Sequence, residues 1–316
     1  MYKKINLLLC VVAGIILLNS CRSRTQWQDN LRAPIRQPSA SPIEPELTQK
    51  QNELSEEQSR RDLEENLDQG RDETSSNCLK TASYDFTVSG PYQVATGRVG
   101  MVNTYTPTNL PSGCKAPVIH FNNGTGATCG FYTSINTHLA SHGFVVGCYE
   151  STETGSGDEC VAAINTLMSQ FSAIADRTKI GTTGHSQGGA AAITCLYQGE
   201  SRWPNSQLTA HAIQPAHGMN RDGWQSEYPQ INSPIFMFSG SDDTVVSDEW
   251  VAWGFNQLNT TTYWYQANGA THFNPHNWAK SSGVAWFRWQ LLGDAKAGST
   301  LQSYLNSQYW SSIGSK

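Results

Sequence analysis

Lys179-Ile180-Gly181-Thr182-Thr183-Gly184-His185-Ser186-Gln187-Gly188-Gly189 decides the reading of this chain. A short β-branched run over 179–183 leads into Gly184-x-Ser186-x-Gly188, and a helix-like run over 190–197 follows. In such an elbow the serine sits on a sharp strand-to-helix turn that only small flanking residues permit. The turn exposes the hydroxyl at the carboxyl edge of a sheet, and the free N–H groups of the following helix start face any negative charge that develops there. Ser186 is therefore the candidate nucleophile, and the N–H of Gln187 is one candidate oxyanion donor.

Outward from the elbow, strand-like runs occupy 84–88, 94–105, 117–121, 144–149, 179–183, 208–214, 234–238 and 261–266. Helical periodicity suits 132–141, 159–175, 188–197, 248–258 and 283–292. Strands alternating with helices after an opening β region predict an α/β class, a mostly parallel sheet with helices on both faces. Ligands in such sheets bind beyond the carboxyl ends of the strands, where Ser186 is expected.

A serine hydroxyl needs a base to take its proton and a third group to fix the base's tautomer. In this topology the acid and then the histidine follow the serine in sequence. The buried-looking run 234–238 ends in Ser239-Gly240-Ser241-Asp242-Asp243-Thr244-Val245-Val246, which makes Asp243 the candidate acid and its neighbour Asp242 the alternative. Turn capping is the other use of an aspartate after a strand. The run 261–266 precedes Gly269-Ala270-Thr271-His272-Phe273, so His272 is the candidate base; His276 lies four residues on, and every other histidine precedes the acid. The loop Asn122-Asn123-Gly124-Thr125-Gly126 offers the Thr125 N–H as second oxyanion donor, since flanking glycines let a backbone approach a substrate closely.

The 316-residue chain has an uneven charge distribution. Residues 22–76 carry 8 Lys/Arg and 12 Asp/Glu, whereas 77–316 carry 11 and 14. The near-neutral second part has no electrostatic footprint for nucleic acid. Residues 1–20 have Lys3 and Lys4 before an apolar run, which reads as an export signal too short for a comfortable span. Leu18-Asn19-Ser20-Cys21 resembles a lipobox, which implies an acylated Cys21 at the mature N-terminus; a plain cleaved signal is the alternative. Residues 21–77 are polar and charged with Trp27 as their one aromatic residue, the composition of a disordered tether. The expected catalytic domain is thus 78–316, with a membrane as partner only through the lipid anchor.

Cys78, Cys114, Cys129, Cys148, Cys160 and Cys195 are even in number in an exported domain, which favours disulfides. They allow 15 pairings, and Cys160 and Cys195, on helix-like runs, could instead be buried thiols. No Cys-x-x-Cys or Cys/His spacing suggests zinc.

Leu139-Ala140-Ser141-His142-Gly143-Phe144-Val145-Val146, the elbow, Gly240 to Val246, Gly269 to Phe273 and Gly283-Val284-Ala285-Trp286-Phe287 together resemble the α/β-hydrolase family of bacterial cutinases and polyester hydrolases, with dienelactone hydrolase-like esterases and chlorophyllases as relatives. The resemblance covers about 95–295. It implies an α/β-hydrolase fold without a lid domain, cleavage of carboxylic esters in an open groove and no organic cofactor. The catalytic domain is expected to be monomeric. Three positions depart from that pattern: Thr125 where a groove tyrosine is usual, Gln187 where methionine is usual, and His217 where an aromatic clamp, usually tryptophan, would stand. These changes make the groove more polar and weaken stacking on an aromatic polymer. Gly124, His185, His217 and Trp278 are the candidate groove residues, with Trp224 a further aromatic nearby.

Overall fold

A computed structural model describes residues 78–316 apart from 80, 82, 219 and 220, with backbone only at 221 and 222. The expected signal segment 1–20, the lipidation site Cys21 and the tether 21–77 lie outside the described residues.

Nine strands form one sheet in the order β1-β2-β4-β3-β5-β6-β7-β8-β9. They are β1 Val94–Val99, β2 Val102–Pro107, β3 Ala116–Asn122, β4 Val145–Tyr149, β5 Ala175–His185, β6 Gln207–Ile213, β7 Ile235–Gly240, β8 Thr262–Ala267 and β9 Trp310–Ser315. Strands β3 to β8 run parallel, while β1, β2 and β9 add antiparallel pairings at the two edges. The helices are α1 Thr133–Ser141, α2 Asp158–Gln170, α3 Gln187–Arg202, α4 Arg221–Glu227, α5 Asp248–Gln257, α6 His276–Leu292 and α7 Ala295–Leu305. The mostly parallel sheet with helices on both faces is the architecture expected.

Side-chain alternation along the central strands divides the core between those faces. On β7, Ile235 and Met237 join the cluster under α2, α3 and α5, whereas Phe236 and Phe238 join the cluster under α1, α6 and α7. With both faces buried, β7 reads as a continuous apolar run, as parallel strands do. At β3 the strand order reverses toward β4 on one side and β5 on the other, and the loops after β3 and β5 flank the crevice this creates.

Several expected elements differ. The run 94–105 is a hairpin, because Gly100 takes φ +57° and turns the chain between Val99 and Val102. The run 84–88 forms no strand. Its backbone is held by side chains instead: Tyr304 Oη accepts from Phe86 N at 2.9 Å, and His138 Nε2 and His142 Nε2 donate to the carbonyls of Phe86 and Val88. The helix expected over 159–175 ends at Gln170, since β5 begins at Ala175 to pair with Ala116. Strand β9 and helices α4 and α7 were not expected; β9 is a Ser-rich edge strand in which all five residues other than Trp310 are at least partly exposed, so it lacks an apolar signal.

Three disulfides join Cys78–Cys114, Cys129–Cys148 and Cys160–Cys195. The last pair is therefore a cross-link between α2 and α3 rather than two buried thiols. This disulfide set marks an exported protein.

Burial holds His120, His142, His185 and His211 neutral, each pushed down to about 3 from 6.5. The unfolded chain takes up these protons below about pH 6.5 and the folded chain does not, so this stability is fully present above that pH and is lost as pH falls toward 3. Each such group contributes a slope of up to ~1.4 kcal/mol per pH unit in that window. Urea midpoints measured at pH 7, 6, 5 and 4 should fall steeply below pH 6; a flat series would contradict this.

Candidate active site

The elbow follows from local crowding. His185 closes β5 and Gln187 opens α3, leaving Ser186 at φ +60° and ψ −121°, a conformation a non-glycine residue holds only when its surroundings impose it. Ser186 N donates to Ile213 O at 3.0 Å, and Ser186 O accepts from Gly189 N and Ala216 N. A side chain at Gly188 would put its Cβ 2.1 Å from Asn122 O, and one at Gly184 would come 2.3 Å from Gly188 O. The two glycines let α3 cross the ends of β3 and β5 closely enough to make the turn.

His272 stands on the β8–α6 loop and Asp243 on the β7–α5 loop, both beyond carboxyl ends of parallel strands. His272 Nε2 lies 3.1 Å from Ser186 Oγ, and His272 Nδ1 lies 2.8 Å from Asp243 Oδ2. The other Asp243 oxygen accepts from Val245 N at 2.8 Å and Val246 N at 2.9 Å. Burial pushes the Asp243 carboxyl up, but the His272 hydrogen bond and charge and the two N–H groups more than offset it, so the group sits below its ordinary range. Asp242 is exposed, accepts from the Ser241 hydroxyl at 2.9 Å and makes no hydrogen bond to His272. The arrangement can pass a proton from the serine hydroxyl to Nε2 while the carboxylate keeps the proton on Nδ1.

Across the crevice, Thr125 is exposed between Gly124 and Gly126. Gly124 N donates to Tyr132 Oη, Gly126 N to Thr152 O and Ala127 N to Gly124 O, which fixes the loop around Thr125. Among the described residues the Thr125 and Gln187 N–H groups donate to no backbone acceptor. The Gln187 side chain is clipped from the β4–α2 loop: Nε2 donates to Glu153 Oε2 at 3.0 Å and Oε1 accepts from Thr154 N at 3.3 Å. Among the described residues no group of three or more His, Cys, Asp or Glu is arranged to hold a metal ion.

The family described as platelet-activating factor acetylhydrolase, isoform II, matches residues 84–156, a stretch that holds β1 to β4 and the Thr125 loop and stops before Ser186. No curated protein matches. Together with the sheet order, this match decides the class. The chain is an α/β-hydrolase, a serine hydrolase of carboxylic esters.

Within this hydrolase the expected groove residues need correction. His217 is completely buried, edge-on to Trp224 and Tyr228 with Nε2 3.1 Å from Tyr228 Oη, so it clamps nothing at the surface. Trp224 is buried in the same aromatic group. His185 is 6 % exposed and its ring packs beneath His272 at 4.6 Å between centroids. Gly124 is buried and contributes through its backbone, and Trp278 is half-buried against the core under α6. The apolar side chains that do reach solvent beside site residues are Phe273, 79 % exposed, Val245, 38 %, and Phe131, 65 %, on the turn just after the Thr125 loop.

Sequence reasoning missed Tyr132, Gln214, Glu153 and Thr154. Gln214 had one usable signal: it closes the strand-like run 208–214, and the carboxyl ends of such strands are where this fold gathers its ligand-binding residues. Glu153 and Thr154 lie in a polar loop with no periodicity to mark them.

Proposed function

We propose that this hydrolase is an exported esterase in which Ser186, His272 and Asp243 cleave carboxylic esters through an acyl-enzyme. The observation that carries the reading is the pair of contacts made by one imidazole, 3.1 Å to the Ser186 hydroxyl and 2.8 Å to the Asp243 carboxylate. His272 takes the serine proton as Ser186 attacks the ester carbonyl, and the developing oxyanion rests on the N–H groups of Thr125 and Gln187. His272 then protonates the leaving alcohol. Water repeats the two steps on the acyl-enzyme, releasing the acid and restoring the serine. Asp243 stays ionised and holds the imidazole throughout. The export signal and an acyl anchor on Cys21, which would tie the enzyme to a membrane as a lipoprotein, belong to the same proposal.

For the substrate, the exposed Phe273, Val245 and Phe131 favour esters with an apolar part, including a polyester surface, as in a cutinase-like enzyme. A second reading, small soluble esters, lactones or acylated sugars with a short acyl group, draws on the polar Gln187–Glu153 clip beside the expected oxyanion position and on the acetyl hydrolase in the description of the matched family. Nitrophenyl esters of two to sixteen acyl carbons, tested beside polyester films, separate the two. Turnover that persists or rises with acyl length, with soluble products released from film, is the expected outcome. A maximum at acetyl with inert film selects the second reading. No turnover on any ester by the wild-type chain would leave a binding lipoprotein of the same fold.

A further inference from the structure

Beneath the three site side chains runs a continuous chain of buried hydrogen bonds that the proposed reaction does not use directly. Tyr132 Oη lies 3.2 Å from Gly124 N and 3.0 Å from His185 Nδ1. His185 Nε2 lies 3.0 Å from Gln214 Oε1, and Gln214 Nε2 lies 3.1 Å from Thr271 O. Tyr132 and His185 are each 6 % exposed and Gln214 is completely buried.

The proton positions along this chain are fixed by its two ends. Gly124 N–H can only donate, and Thr271 O can only accept. Gln214 must therefore turn its amide nitrogen to Thr271 and its oxygen to His185. His185 then carries a proton on Nε2. Burial keeps the ring neutral, so its Nδ1 accepts, and Tyr132 donates to it while accepting from Gly124. With His185 neutral, this arrangement alone satisfies all four bonds. Gly124 adjoins the proposed oxyanion donor Thr125, and Thr271 adjoins His272. The ring of the same His185 also lies under the His272 ring.

We infer that Tyr132, His185 and Gln214 form a relay of positioning residues that fixes the oxyanion loop relative to the histidine loop. The inference rests on the esterase reading. A fixed distance between oxyanion donor and base matters only when the oxyanion and the imidazolium exist together, so the relay acts on kcat rather than on substrate affinity. It also keeps an uncharged ring beside His272 at the moment His272 becomes cationic. Gln214 itself is held at φ +45°, a conformation that the bonds on both sides of its amide help to maintain.

Cutting the relay at either end severs the same connection, so Tyr132→Phe and Gln214→Met should not act independently. Each single variant should lower kcat on nitrophenyl acetate by about tenfold with KM within about twofold. The double variant should be no worse than the poorer single. Thermal unfolding identifies folded variants; should Gln214→Met fail to fold, Tyr132→Phe, which removes one hydroxyl, decides the matter alone. A folded Tyr132→Phe with wild-type kcat overturns the relay, as does a loss carried by KM or a double variant down by about a hundredfold. Ser186→Ala, measured in parallel, reports on the esterase reading: if it keeps wild-type turnover, that reading fails whatever the relay variants do.

Discussion

Replacing Ser186 with alanine should lower kcat on a soluble nitrophenyl ester by roughly 10,000-fold or more, while the thermal midpoint stays within a few degrees of wild type. The loss is large because the remaining groups have no nucleophile to activate. His272 could still hold a water, but that water would lack the fixed attack geometry that the elbow gives the hydroxyl at 3.1 Å. Stability should change little, since the bonds that hold the turn are backbone bonds from Ser186 N and O, and alanine retains both. Relief of the positive φ is not available to alanine either, so the strained turn persists. Progress curves at high enzyme concentration, paired with thermal unfolding, check both halves of the prediction.

The second large effect is expected at Asp243. Asparagine there can still meet His272 Nδ1, but through its amide N–H, which places the imidazole proton on Nε2 and turns it toward Ser186 as a donor instead of an acceptor. Asp243→Asn should lower kcat by about 10,000-fold at neutral pH, and KM should move little. Asp242→Asn is the informative companion. Its carboxylate faces solvent and meets only the Ser241 hydroxyl among the described residues, so kcat should stay within about threefold of wild type. Equal losses at the two positions, or the larger loss at Asp242, would remove Asp243 from the proposed role.

The fold was legible in the sequence wherever an element announces itself by its own pattern. Apolar runs such as 234–238 and 261–266 become β7 and β8 to within a residue or two because both of their faces are buried. The Gly-x-Ser-x-Gly turn is equally local, since the crowding at Gly184 and Gly188 leaves little choice of residue. What the sequence concealed depends on partners distant in the chain. Residues 84–88 look strand-like but find no edge to pair with, and β9 looks like a loop until Tyr263 to Ala267 offer it an edge. The disulfide pairing likewise needs the packing of α2 against α3 before Cys160 and Cys195 meet.

At the site, Ser186, Asp243 and His272 could be singled out because each follows a recognisable strand. The groove could not, because His217 and His185 look alike in sequence to a surface histidine and differ only in what encloses them. His217 is walled in by Trp224, Tyr228 and Trp253, and His185 by Tyr132, Gln214 and His272. Composition records that these rings exist, and only packing decides which of them reach solvent.

Reaction of the intact, folded chain with diethyl 4-nitrophenyl phosphate, followed by mass analysis of the intact chain and its peptides, tests the central claim most directly. One diethylphosphoryl group per molecule, carried on the peptide that contains Ser186 and absent from His272→Ala under the same conditions, is the predicted result. An unmodified chain, or a label on any other serine, would contradict it.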